Sequence, residues 1–264
     1  MEQTDAPVVS NTHLTGEYWL LEVEAPSVAA ALEPGQFVNI RIRDSLAPFL
    51  RRPFSVYRVN PEKTRLQVAY KILGNGTRLM KETLQPGALC DLIGPLGKGF
   101  ELPEDAKTIA LVGRGIGIAA LPMLADLAAA RGVTSHAFLS ARSRDNLVGA
   151  EIFASHGGQV FTHADDTPDD VALVTDHLLR MAESTAFDAM YVCGSNRLIR
   201  QVDKLARAHG IPAQSAMEQH MACGFGDCHG CIIEVNLDRD GESRGYREVC
   251  HHGPVFNTWE VANA

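Results

Sequence analysis

The chain has 264 residues, 45% of them hydrophobic and 21% charged, which suits a globular protein of two compact domains with room for a small third. A formal net charge of −8 excludes a nucleic-acid surface, since that kind of binding neutralises phosphates with Lys and Arg. No basic start followed by an apolar core marks a secretory signal, and the most apolar run, Ile116 to Ala130, is interrupted by Pro122 and Asp126 and is too short to span a membrane.

Residues 1–102 read as an antiparallel β-barrel. Val38, Ile40 and Ile42 alternate with Asn39, Arg41 and Arg43, the period-two signature of a half-buried strand. Leu66, Val68, Tyr70 and Ile72 alternate in the same way with Gln67, Ala69 and Lys71. Turn-forming clusters at Glu33-Pro34-Gly35, Asn60-Pro61, Gln85-Pro86-Gly87 and Gly94-Pro95-Leu96-Gly97 separate such runs, and short strands at this spacing predict a small barrel. Two pieces of it can carry chemistry. In Arg52-Pro53-Phe54-Ser55 a guanidinium suited to bidentate phosphate pairing sits beside a hydroxyl; taken alone, a solvated turn is the stronger reading. Gly74-Asn75-Gly76-Thr77 opens a predicted helix over 78–84, whose first amides make an anion site, against the competing reading of an ordinary strand-to-helix turn. Together they point to a nucleotide-like cofactor.

Residues 103–213 read as an α/β domain with a parallel sheet. Thr108–Val112 is a continuous apolar run, as in a strand buried on both faces. It leads into Gly113-Arg114-Gly115-Ile116-Gly117 and a helical stretch with Leu121, Leu124 and Leu127 on one stripe. Further strands are predicted at 136–140, 160–162 and 190–192, with helices over 174–181 and 198–209. The glycine loop is G-x-G-x-G, not the strict dinucleotide fingerprint, but its strand–loop–helix context suits a phosphate. No acidic residue ends the next strand; Arg142 and Arg144 stand there, as partners for a 2′-phosphate or as solvated charges, so NAD and NADP both stay open. Cys193-Gly194 ends a strand where ligands approach such sheets. Cys193 is either a nicotinamide contact or a small buried hydrophobe, and Cys90 reads as core.

Residues 214–264 form a small cysteine-rich module. Cys223, Cys228 and Cys231, with Cys250 nineteen positions on, follow the C-x4-C-x2-C…C order of plant-type [2Fe–2S] ligation. A zinc site or a disulfide pair are the competing readings, but zinc sites usually present paired C-x2-C knuckles. Gly224, Gly226 and Gly230 between the ligands suit a loop that must wrap a cluster. Clustered cysteines without a signal point to a reducing compartment, hence a cytoplasmic protein. With four thiols completing the set, His220, His229, His251 and His252 are expected outside it. No residue is assigned as a catalytic acid, base or nucleophile.

In this order the motifs resemble the ferredoxin–NADP reductase superfamily, and more closely the iron–sulfur electron-transfer subunits of class 1B dihydroorotate dehydrogenase. The resemblance rests on Arg52–Ser55, Gly74-x-Gly76-Thr77, Gly94-Pro-Leu-Gly97, the loop 111–119, Asp165-Asp166, Cys193-Gly194, Ser215-Ala-Met-Glu218, Met221-Ala-Cys223-Gly, and Val249-Cys250 with Gly253–Phe256. It implies FAD in the barrel, held by Arg52, Pro53, Phe54 and Ser55, by Ala69, Tyr70 and Lys71, and by Gly76 and Thr77. It implies NAD over Gly113, Gly115 and Gly117, with its nicotinamide near Cys193 and Gly194. It also implies an FMN-containing TIM-barrel catalytic subunit as partner, in a heterotetramer of two plus two, acting in pyrimidine biosynthesis.

Two positions depart from the family pattern: Arg114 stands where a third glycine is usual, and Ser195 where a proline usually follows Cys-Gly. The expected route is partner FMN, [2Fe–2S], FAD and NAD. Two other functions stay open on the residues: a stand-alone NAD(P)H-dependent iron–sulfur flavin reductase serving another oxidoreductase, and a cluster-based redox sensor.

Overall fold

A computed structural model describes residues 1–43, 46–167 and 173–261. The first unit carries β1 (Glu2–Thr15), β2 (Tyr18–Glu24), α1 (Pro26–Ala31), β3 (Phe37–Ile40), β4 (Arg52–Ser55), β5 (Arg58–Val59), β6 (Arg65–Lys71), α2 (Asn75–Thr83) and β7 (Leu89–Leu96). Its seven strands form one antiparallel sheet in the order β4-β3-β7-β1-β2-β6-β5. The sheet curls until its ends approach: Phe54 of β4 meets Tyr70 of β6 edge to face, ring centres 6.2 Å apart. Val38, Ile40, Leu66, Val68, Tyr70 and Leu92 fill its core. Cys90 lies there too, fully buried, and that burial pushes its thiol up to about 12.

The second unit carries β8 (Thr108–Arg114), α3 (Pro122–Ala130), β9 (Thr134–Ala141), α4 (Ala150–Ser155), β10 (Val160–Ala164), α5 (Val174–Ser184), β11 (Ala189–Cys193), α6 (Asn196–His209) and β12 (Ala213–Ala216). Strands β10, β9, β8, β11 and β12 pair in parallel in that order. The apolar run in β8 is central, flanked on both edges and covered on both faces, so Ile109 to Val112 are inaccessible. Helix α6 shows how the local signals act. The Ser195 hydroxyl accepts the Leu198 N–H at 3.4 Å, Gly210 ends the helix at φ 67°, and Leu198, Ile199, Val202 and Ala206 turn inward. Two features differ from the sequence reading. Gly115–Ala120 forms a 3-10 segment, so α3 begins only at Pro122, one turn beyond the glycine loop. Strand β12 has no apolar alternation of its own; Ala213-Gln-Ser-Ala is held by pairing with β11.

The last unit carries the cysteine loop, β13 (Ile232–Asn236), β14 (Arg244–Glu248), α7 (Val249–His252), β15 (Val255–Asn257) and α8 (Thr258–Val261). Strands β13 and β14 form a separate hairpin, whereas β15 returns to the parallel sheet and pairs antiparallel with β12. Buried Asp203 of α6 accepts the Thr258 hydroxyl at 2.8 Å, which ties α8 to the same layer. The cysteine loop is thus an excursion between two neighbouring strands of one sheet. Among the described residues no helix is long and apolar enough to cross a membrane.

β3 departs most from expectation. The alternation predicts Asn39 on a solvated face, yet all four residues from Phe37 to Ile40 are buried. Val38 and Ile40 face the barrel core, while Phe37 belongs to the core that also holds Cys231, Val249, Cys250 and Phe256 of the last unit. Asn39, 1% exposed, donates from Nδ2 to the Cys223 carbonyl at 2.8 Å. Asn39→Leu removes that donor and strands a carbonyl in a protein environment. It is expected to cost about 1–3 kcal/mol, seen as a lower thermal unfolding midpoint; an unchanged midpoint would mean the loop is anchored elsewhere.

Candidate redox site

The four cysteines come together as two pairs. Cys228 lies close enough to Cys223 to lower its pKa, and Cys231 close enough to Cys250 to raise that of Cys250. Among the described residues no three His, Cys, Asp or Glu side chains converge as ligands of one ion. Four thiols in the C-x4-C-x2-C…C order fit a two-iron cluster better than the paired C-x2-C knuckles usual for a structural zinc. Backbone amides point at the sulfurs: Gly226 N–H to Cys250 Sγ at 3.1 Å, Gly230 N–H to Cys228 Sγ at 3.4 Å, and Cys250 N–H to Cys231 Sγ at 3.4 Å. Such donors stabilise sulfur-centred negative charge, and hydrogen bonds to the sulfurs set a cluster's potential.

Burial pushes the Cys223 thiol up, but the amides of Phe225, Cys228 and Asp227 and the Cys228 thiol outweigh it and bring it to about 6. Burial, and then the Cys231 thiol, push Cys250 up to about 12. Cys231 and Cys250 are inaccessible, whereas Cys228 is exposed; the site therefore shows one edge to solvent. Gly224 and Gly226 have φ of 86° and 91°, and a side chain on Gly224 would meet Asn39 Nδ2 at 2.6 Å. Gly230 differs from its two neighbours: its φ is not positive, and the nearest atom to an added Cβ is Cys228 Sγ at an ordinary 3.4 Å. The histidines lie outside the thiols. His229 and His252 each place Nδ1 2.6 Å from a Glu248 carboxylate oxygen, and His251 packs on Gly226.

The barrel motifs meet one strand away. β4 pairs with β3 in the register Asn39↔Pro53 and Ile40↔Arg52, so Arg52–Ser55 lies alongside the strand that anchors the cysteine loop. The Arg52 guanidinium stands against the start of α2, its Nε 3.2 Å from where a Gly76 Cβ would be. The first α2 amides precede the opening intrahelical bond, Arg78 N–H to Gly74, and with Arg52 they make a cradle that fits a pyrophosphate. The Thr77 hydroxyl is engaged in capping, accepting the Leu73 N–H at 3.0 Å. On β6 the expected trio divides. Ala69 packs in the core of the second unit, and Lys71 Nζ lies 2.6 Å from Glu17 Oε2 at the β1–β2 turn. Tyr70 turns into the barrel core and donates its hydroxyl to Asn11 Oδ1 at 2.8 Å, so only its backbone is open to a ligand.

The nucleotide motifs also converge. A Cβ on Gly117 would lie 2.7 Å from the Cys193 carbonyl oxygen, so the glycine loop packs directly on Cys193-Gly194. Cys193 is 3% exposed, and burial raises its thiol far above the ordinary range. Beside this contact, at the carboxyl ends of β8 to β11, lies a cavity of about 360 Å3 lined by Arg114, Ser140, His163, Asp165, Ser195 and Arg197 among others. That is where open α/β sheets take ligands. Sequence reasoning gave no role to Glu218. It is solvent-exposed and lies two residues beyond the end of β12, close to Cys193 in the sheet. Its only sequence signal was membership of the Ser215–Glu218 motif.

Residues 218–262 match the model of the iron–sulfur cluster binding domain of dihydroorotate dehydrogenase B. Among solved structures the chain resembles an NADH-dependent reduced ferredoxin–NADP oxidoreductase studied for flavin-based electron bifurcation, with TM-score 0.83, 25% identity, and 98% and 90% of the two chains covered. Phthalate dioxygenase reductase shares the fold, at TM-score 0.65 and 19% identity over 94% and 77% of the chains. Over 263 residues, 99% of each chain, the sequence is 33% identical to the dihydroorotate dehydrogenase B (NAD(+)) electron transfer subunits of Bacillus cereus strain Q1 and Bacillus anthracis strain CDC 684. With that full-length match and two thiol pairs in its cluster-binding segment, the chain belongs to the family of dihydroorotate dehydrogenase B electron transfer subunits.

Proposed function

We propose that this chain relays electrons between an FMN-containing TIM-barrel subunit that oxidises dihydroorotate and NAD, in a cytoplasmic heterotetramer of two plus two. The work divides over residues 1–102 for FAD, 103–213 for NAD and 214–264 for the cluster. One observation carries this reading: β3 is shared, with β4 and its Arg52–Ser55 on one side and the Cys223 loop on its Asn39 side chain. When bound, FAD exchanges electron pairs with a nicotinamide and single electrons with an iron–sulfur cluster, chemistry that belongs to the cofactors.

The chain's own residues then bind, orient and exclude water. Arg52 and the α2 amides of Gly76 and Thr77 hold the FAD pyrophosphate, and Pro53, Phe54, Ser55, Ala69, Lys71 and the Tyr70 backbone line the flavin. Gly113, Gly115 and Gly117 let a dinucleotide approach the backbone, and Cys193-Gly194 receives the nicotinamide. Cys223, Cys228, Cys231 and Cys250 hold the [2Fe–2S] cluster, with the Gly226, Gly230 and Cys250 amides donating to sulfur. The exposed edge at Cys228 faces the partner. Phe225 in the ligand loop, 43% exposed, and Ile232 and Tyr246 on the outer face of the β13–β14 hairpin supply apolar contact there.

Cys228→Ser should abolish electron transfer to the catalytic subunit while leaving NADH-to-dye reduction within about twofold of wild type; loss of both would show that the thiol is needed for folding instead. Phe225→Glu places a charge in the apolar contact and should weaken subunit association on the order of tenfold or more, followed by analytical ultracentrifugation. Association unchanged by that substitution would move the partner to another face.

A further inference from the structure

Arg114 puts a cation into the loop position where the family pattern has glycine. It ends β8 between Gly113 and Gly115, and it lines the cavity at the carboxyl ends of the parallel strands. Its Nη2 donates to Asp165 Oδ2 at 2.7 Å. Asp165 follows β10, and its other oxygen lies 3.6 Å from His163 Nε2. Among the described lining residues Asp165 is the one carboxylate; Arg114 and Arg197 are the fixed cations, and Ser140, Thr175, Ser195 and Gln201 add polar groups. Among the described residues the cavity therefore has the lining of an anion site in which one carboxylate holds one of two arginines.

That ion pair is cheap to exchange. Its side chains are 36% and 45% exposed, and pairs so open to water contribute little to stability. A guanidinium binds a phosphate through two parallel N–H donors, with more charge to meet than one carboxylate offers. The Arg114 guanidinium also holds the Asp165 carboxyl below the usual carboxylate range, so the acid stays ionised as the competitor.

We propose that the Arg114–Asp165 pair is a latch opened by ligand exchange: the pyrophosphate of an incoming pyridine dinucleotide takes the Arg114 guanidinium from Asp165. This rests on the assignment of the Gly113–Gly117 loop to that nucleotide. Asp165 is then a stand-in for phosphate, keeping Arg114 oriented in the free protein. The two halves of one ion pair must therefore affect binding in opposite directions. A pair that only braced the loop would weaken binding whichever half was removed.

The test measures NAD+ binding to the oxidised, intact two-subunit complex by isothermal titration calorimetry, with variants matched to wild type for flavin and iron content. Arg114→Ala should weaken binding by about fivefold or more, the equivalent of roughly 1 kcal/mol, and flatten its salt dependence. Asp165→Asn should tighten binding by about two- to fivefold at low salt. Wild-type complex that shows no saturable NAD+ binding would overturn the nucleotide assignment itself. Wild-type binding that neither variant alters, or that both weaken, would overturn the latch alone.

Discussion

The structure depends on a single buried amide. Asn39 sits on a barrel strand, and its side chain reaches out of the barrel to hold the backbone of the first cluster-ligand candidate. Among the described residues the Asn39 Oδ1 is buried without a partner, so the amide is held through Nδ2 to the Cys223 carbonyl, and leaving that carbonyl unpaired would be costly. Gly224, packed against the Asn39 amide, leaves no space for a side chain at the next position. The strand on the other side of β3 carries Arg52–Ser55. Two sites that are far apart in sequence are thereby fixed one strand apart, on a backbone that is buried throughout.

The rest of the fold keeps that spacing rigid. The cysteine loop leaves the parallel sheet at β12 and returns at β15, its neighbour in the same sheet. It cannot swing as a tethered domain would, because both its ends are hydrogen-bonded into one layer. On the barrel side, Lys98 donates its amide to the Gly253 carbonyl at 2.6 Å, beside the strand β15. Between barrel and nucleotide unit, Arg58 grips Asp126 through two 2.8 Å hydrogen bonds, and His156 Nε2 lies 2.9 Å from the same carboxylate. Electron transfer falls off steeply with the distance between carriers, and these contacts tie the three units to one another.

Much of this was legible in the chain. The apolar β8 run and the helix expected over 198–209, observed as Asn196–His209, correspond to residues whose environment matches their own chemistry. Gly210 signals the end of α6, and the apolar run in β8 is consistent with a strand covered on both faces. The cysteine spacing reads directly because ligand geometry restricts it. What stayed hidden depends on contacts between units. Asn39 reads as a solvated residue, because alternation shows which side faces one core and says nothing of a second unit covering the other side. β12 carries no strand pattern of its own, since four small and polar residues become a strand only when β11 and β15 flank them. The Tyr70 side chain belongs to the core, a fact of register and not of residue type. The Asp165 partner of Arg114 lies fifty-one positions away, and no local pattern links them.

The central claim is that flavin site and cluster are coupled across β3 within one chain. Anaerobic reduction of the purified complex with NADH alone, followed by flavin absorbance and by low-temperature electron paramagnetic resonance, tests it most directly. The account predicts flavin bleaching together with a rhombic signal from a cluster of about two irons per chain. Bleaching of the flavin without that signal, or zinc in place of iron, would contradict it.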